Sequence, residues 1–153
     1  MKKMAAIALA LCLALSGGAL AEGSMDAEGL RTAWETERGL PYAFWPMEDL
    51  VAFDAACGAD FPRHVMPADT DLSAEEAVRL ARQAVMETYR IYFAGLVDNY
   101  EGAVSAASLV EEEANVRQWR VLFGTVVSPT QPSITFEVVL DASGGLIACA
   151  DHR

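Results

Sequence analysis

The residues of this chain that are able to do chemistry are few and scattered. Its two histidines, His64 and His152, fit no metal spacing such as H-E-x-x-H, and no C-x-x-C pair accompanies them. His64 lies between Pro62 and Pro67, and His152 stands one residue from the end; both read as exposed polar residues rather than ligands or bases. There is no G-x-S-x-G elbow, and no serine has a local partner that marks it as a nucleophile. Two acidic groupings remain, Glu111 to Glu113 and Asp69 with Asp71 and Glu75. A calcium loop places oxygen ligands at fixed short intervals around a glycine, a pattern absent from both. Solvated strand-edge charge and compensation of a helix dipole explain them better. The expectation is therefore no catalytic residue, no metal and no cofactor.

These residues follow an N-terminal stretch of a different kind. Lys2 and Lys3 precede an uncharged apolar run from Met4 to Leu15, which breaks at Ser16, Gly17 and Gly18. Ala19-Leu20-Ala21 then supplies the small-x-small pattern of a cleavage site, so residues 1–21 read as a secretory signal peptide with Glu22 as the new N-terminus. The run is too short to span a bilayer comfortably. Lipoprotein attachment at Cys12 is disfavoured by Leu11, which stands where a small residue is needed. A membrane contact is expected only if the segment stays uncleaved.

Cleavage at that point removes every lysine of the chain and no acid. Lys+Arg falls from 11 to 9 against 22 Asp+Glu, and the formal charge moves from -11 to -13. Such a surface repels phosphate backbones, because nucleic-acid affinity comes chiefly from cationic side chains that release counterions. Nucleic acid is excluded as a partner. Solubility outside the cell accounts for the charge more simply than recognition of a basic partner does. About 130 residues remain, enough for one domain with a real core. Two cysteines stay with it, Cys57 and Cys149, each flanked by alanines. In an oxidising compartment they suit a disulfide across a long loop, and they suit equally two separate buried thiols.

The chain divides at 1–21, at 22–71, a helical segment with its connector, and at 72–153, an α+β unit. Asp26 to Arg38 reads as a helix with Leu30, Ala33, Trp34 and Glu37 at helical spacing, ended by Gly39 and Pro41. A second helix starts at Pro46, with Leu50, Phe53 and Cys57 on one face and Gly58 as its stop. Residues 59–71, with Pro62 and Pro67, read as an extended connector. Ser73-Ala-Glu-Glu76 is a capping box in which Ser73 accepts from the N–H of Glu76 and that glutamate reaches back. Ala77, Leu80, Ala81, Ala84 and Val85 continue it as a helix to about residue 90, with a narrow alanine seam suited to a sheet.

Beyond Gly102 the period becomes alternating. Val104, Ala106, Ser108 and Val110 share a face, as do Trp119, Val121 and Phe123, and then Ile134, Phe136, Val138 and Leu140. Pro129 and Pro132 bracket one turn, Asp141 to Gly145 make another, and Leu146 to Ala150 form a last strand. The fold class expected is α+β: an antiparallel sheet of three to four strands covered on one face by a helix, preceded by one or two N-terminal helices.

Leu72-Ser-Ala-Glu-Glu-Ala77, Trp119-Arg-Val-Leu-Phe123 and Phe136-Glu-Val-Val-Leu-Asp141-Ala-Ser-Gly144-Gly-Leu-Ile147 together resemble the PepSY domain family over roughly residues 72–150, about half of the chain. Ser143 and Gly145 depart from the family's usual threonine and charged residue, and the connection from the helix to Trp119 is longer; these departures touch turn chemistry and loop length and leave the helix-plus-hairpin reading intact. The resemblance implies a non-enzymatic module outside the cytoplasm that binds or restrains peptidases. It carries over no catalytic residue, and its marks are structural: Ser73, Glu76, Trp119, Phe123, Asp141 and Gly144. The function expected is thus a secreted or cell-envelope module that engages a peptide or peptidase at a sheet edge. The alternative is a small extracytoplasmic hydrolase or cation-binding protein that uses the acidic clusters.

Overall fold

A computed structural model describes residues 26–90 and 103–153. Residues 1–21, read above as a signal peptide, lie outside the described residues. Helix α1 (Ala27–Arg38) opens under Asp26, whose carboxylate accepts from the Gly29 N–H at 2.8 Å, and closes on Gly39 in the left-handed conformation. A single 3-10 turn (Tyr42–Phe44) leads into α2 (Met47–Cys57), with Pro46 as its N-cap and Gly58, also left-handed, as its stop. The long helix α3 (Ala74–Tyr89) is capped by Ser73, which accepts from the Glu76 N–H at 3.2 Å. The return bond of the capping box is replaced, because the Glu76 carboxylate takes the Arg79 guanidinium at 2.6 Å and 2.9 Å. A guanidinium one turn along competes successfully with a backbone N–H that water can also serve.

The strands are β1 (Arg63–His64), β2 (Ala103–Glu113), β3 (Val116–Ser128), β4 (Gln131–Asp141) and β5 (Leu146–Asp151). They form one antiparallel sheet in the order β1-β2-β3-β4-β5. The fold class is α+β with five strands rather than three or four. The additional strand is β1, inside the stretch read as a connector; its two residues are too short for any alternation to register. Pro132 does not bracket a turn but lies within β4 opposite Val126, and the reversal is confined to Pro129 and Thr130.

Directly paired residues share a sheet face, so the register sorts the side chains. Leu109, Trp119 and Leu140 form one row, Ala107, Val121 and Val138 the next, and Phe123 pairs with Phe136. This face packs on Ala77, Ala81 and Val85 of α3, all fully buried. Trp119 and Phe123 thus serve the core as expected. The Trp119 indole N–H has no hydrogen-bond partner among the described residues, so the side chain contributes by volume. Val104, Ala106, Ser108 and Val110 do share a face, but it is the opposite one, turned away from α3. Over that side stands a second cluster of Trp45, Leu50 and Phe53, supported by Leu30, Trp34 and Tyr42. In α1, Ala33 and Glu37 are exposed and the buried residue is Glu35, whose carboxylate accepts from the Tyr42 N–H at 2.8 Å.

Asp141 organises the β4–β5 turn. Its Oδ1 accepts from the Ser143 hydroxyl at 2.7 Å, the Ser143 N–H at 2.8 Å and the Gly145 N–H at 2.9 Å. The Ser143 hydroxyl first, and then these backbone N–H groups, hold its carboxyl below the usual carboxylate range. A depressed folded value stabilises fully above the unfolded value, and the contribution fades as pH falls through the folded one. Asp141→Asn is therefore expected to lower the melting temperature at neutral pH. The gap to wild type should narrow as pH falls below the ordinary aspartate range; a gap independent of pH would show that the charge contributes nothing.

A cleft on the second sheet face as candidate functional site

The second face is only partly roofed, and the uncovered part is a cleft of about 350 Å³. Its floor is Ser108 and Val110 of β2, Arg120 and Leu122 of β3, and Glu137 of β4. Tyr42, Ala43, Leu50 and Asp54 form one wall, and Pro62, Arg63 and His64 the lip. His64 is held there by Asp54, whose Oδ2 accepts from the His64 backbone N–H at 2.6 Å and lies 2.7 Å from the ring Nδ1. This fixes the ring's orientation and leaves Nε2 outside that bond. His64 is thus not the exposed connector residue the sequence suggested: its side chain is 16% exposed, and Asp54 supplies the partner from another element. His152 is exposed as expected, with its Nε2 at 3.5 Å from Glu137 Oε2.

The Tyr42 ring stands edge-on to Trp45, Phe53 and His64. Burial pushes its phenol up to about 12, so it stays an O–H donor at any physiological pH. Three of the six acids in the two groupings are engaged by arginines. Glu111 takes Arg63 at 2.7 Å, Glu112 takes Arg120 at 2.7 Å, and Asp71 takes Arg117 at 2.5 Å. No group of three or more His, Cys, Asp or Glu is placed to hold a metal ion among the described residues. No helix there is long and apolar enough to cross a membrane.

Ser73, Glu76, Asp141 and Gly144 gather instead around the N-terminus of α3 and the β4–β5 turn, where Gly144 lies against Leu72 and Leu80. Cys57 and Cys149 are free thiols, so the disulfide does not form. Cys57 ends α2 one turn beyond Asp54, which binds β1, whereas Cys149 lies on β5 at the far side of the sheet. Four strand spacings separate those edges, ~19 Å against the ~7 Å limit between Cα atoms for a disulfide. Cys57 is exposed rather than buried on the Leu50–Phe53 face. That something covers this face was signalled in β2, with Val104, Ala106 and Val110 on one side and Ala107 and Leu109 on the other, since a strand apolar on both sides is covered on both. Set beside protein-family models, curated proteins and solved structures, the chain has no match.

Proposed function

We propose that the chain is a binding module of the PepSY kind that works outside the cytoplasm. It takes an extended peptide along β5 as an added strand, and so engages or restrains a peptidase. The observation that carries this reading is the β5 edge. Among the described residues β5 pairs with β4 only, and its first five positions bear no charge. Leu146 and Ile147 are 53% and 52% exposed. Edges of this kind are ordinarily blunted by charge, proline or a bulge, because their free N–H and C=O groups invite pairing. The β4–β5 register steps over Ile147, a bulge at the start of the strand, while Ala148 to Asp151 pair in sequence; the Tyr89 hydroxyl donates to the Cys149 carbonyl at 3.0 Å, so α3 borders the strip a guest would occupy.

The test is to mix the chain with the extracellular peptidases of its host. A complex is expected, with slowed amide exchange over residues 146–151, and the double substitution Leu146→Lys/Ile147→Lys should weaken it at least about tenfold, ~1.4 kcal/mol. No complex and no change in cleavage, or a complex indifferent to the two lysines, removes the reading. A small hydrolase is the second reading. It draws on the His64–Asp54 pair and on Ser108, which shares that sheet face two positions along β2 from the residue opposite His64. Ester turnover by the wild-type chain that His64→Gln abolishes would support it.

A further inference from the structure

Among the described residues the sheet has two outer strands, β1 and β5, and a helix side chain bonds the backbone of each on its open side. Just beyond β1, the Val65 N–H donates to the Leu109 carbonyl at 2.9 Å, so the backbone of Val65 faces β2 and that of His64 faces away. The Asp54 carboxylate of α2 takes that outward His64 N–H at 2.6 Å. At the other edge, the His152 N–H donates to the Thr135 carbonyl at 2.8 Å, and Ala148 to Asp151 pair in sequence with Val139 back to Phe136. Backbone groups alternate in direction along a strand, so those of Ala148 and Ala150 face β4, and those of Cys149 and Asp151 face the open side. The Tyr89 hydroxyl of α3 donates to the outward Cys149 carbonyl at 3.0 Å.

The two closures differ in strength. Asp54 is a charged acceptor that holds His64 twice, at the backbone N–H and at ring Nδ1, 2.7 Å away, and bonds to a charged group are roughly twice as strong as neutral ones. Tyr89 gives the β5 backbone one neutral bond, and its ring is held independently, 5.6 Å from that of Phe136. We infer that the Tyr89 hydroxyl is a latch on the β5 edge: a docking strand must take the Cys149 carbonyl from it, and that exchange sets how tightly extended peptides bind. This rests on the reading of β5 as the peptide edge. The register makes the exchange obligatory. A strand added along Ala148 to Asp151 lies about 4.8 Å from β5 and aims an N–H at the Cys149 oxygen from ~2.9 Å, on the open side where the hydroxyl now bonds. The β1 edge is the firmer closure, because its outward N–H is bound to a carboxylate.

The probe is an acetylated, amidated Thr-Val-Thr-Val-Thr peptide, uncharged like residues 146–150, titrated into the full chain and followed by chemical-shift mapping. Tyr89→Phe keeps the ring beside Phe136 and deletes only the hydroxyl. The variant is expected to bind the peptide about threefold to tenfold more tightly than wild type, the worth of one neutral hydrogen bond, with the largest shifts at Cys149 to Asp151 in both. In the wild-type chain the bound peptide should also shift the Tyr89 ring, as the hydroxyl leaves its carbonyl. The same peptide N-methylated at every residue has no N–H to offer and should bind neither chain. Far-UV circular dichroism confirms that the variant folds. The latch and the edge reading fail separately. Equal affinities, weaker binding by Tyr89→Phe, or a Tyr89 ring that does not respond would overturn the latch and leave the edge standing. No binding by either chain, binding of the N-methylated peptide, or shifts centred on residues 63–65 would overturn both.

Discussion

Phe136→Ala is expected to cost ~3–5 kcal/mol, the usual range for truncating a fully buried aromatic ring. Phe136 is 0% exposed and pairs across the sheet with Phe123. Its ring lies 5.6 Å from that of Tyr89 at the end of α3, and Arg153 sits 5.1 Å above it. Truncation therefore opens a cavity where the last turn of α3 meets β4 and β5, and about 1 kcal/mol of the loss is the aromatic pair itself. Domains of this size are stable by only ~5–15 kcal/mol, so the melting temperature should fall by about 10 °C or more. Urea titration is the direct measurement, with the midpoint lowered and the slope unchanged. Val127→Ala, at a residue 68% exposed, should move it by less than ~0.5 kcal/mol. If the two variants matched, α3 would not be resting on this face.

The second large effect belongs to Gly144. Its φ is +100°, a conformation that L side chains rarely adopt, and a Cβ placed there would lie 2.7 Å from Leu80 Cδ1 and 2.9 Å from Leu72 Cδ1. Gly144→Ala therefore meets two separate penalties: ~1–2 kcal/mol for the left-handed backbone and ~1–3 kcal/mol for the crowding. Leu80→Ala would relieve much of the crowding while leaving the backbone penalty in place. In a double-mutant cycle Gly144→Ala should then cost less on the Leu80→Ala background than on wild type. Simple additivity would show that the turn does not press on the helix.

That double role marks where local reading stops. The turn chemistry of Asp141-Ala-Ser-Gly144-Gly145 is local, since a carboxylate that accepts from N–H groups two and four residues on needs no distant partner. The contact of Gly144 with Leu72 and Leu80 joins residues some sixty to seventy positions apart in the chain, and no spacing announces it. Ser73, Glu76, Asp141 and Gly144 are thus a supporting end of the fold, and the cleft lies on the other sheet face.

The cleft was illegible for a related reason. His64 and Asp54 are ten residues apart, in a two-residue strand and a helix, and they meet only because β1 pairs with β2 beneath α2. Pro62 and Pro67 made that stretch resemble a connector, since proline is a strong local signal and two paired residues are a weak one. Glu137 reads from sequence as an outward residue of an alternating strand, which it is. That outward meant into a partly roofed cleft depended on where the N-terminal helices settled.

Periodicity and capping alone determined the three described helices, the four long strands and which residues of α3, β3 and β4 form the core between them. Each of those follows from neighbours within a few residues and from the need to bury one apolar stripe. Tertiary structure alone decided that the opposite face is shared between a second aromatic cluster and a cleft, that β1 joins the sheet, and that the two cysteines stay apart. Those outcomes depend on how whole elements pack and which distant carboxylate finds which cation. Such energies arise between segments, and no window of the chain contains them.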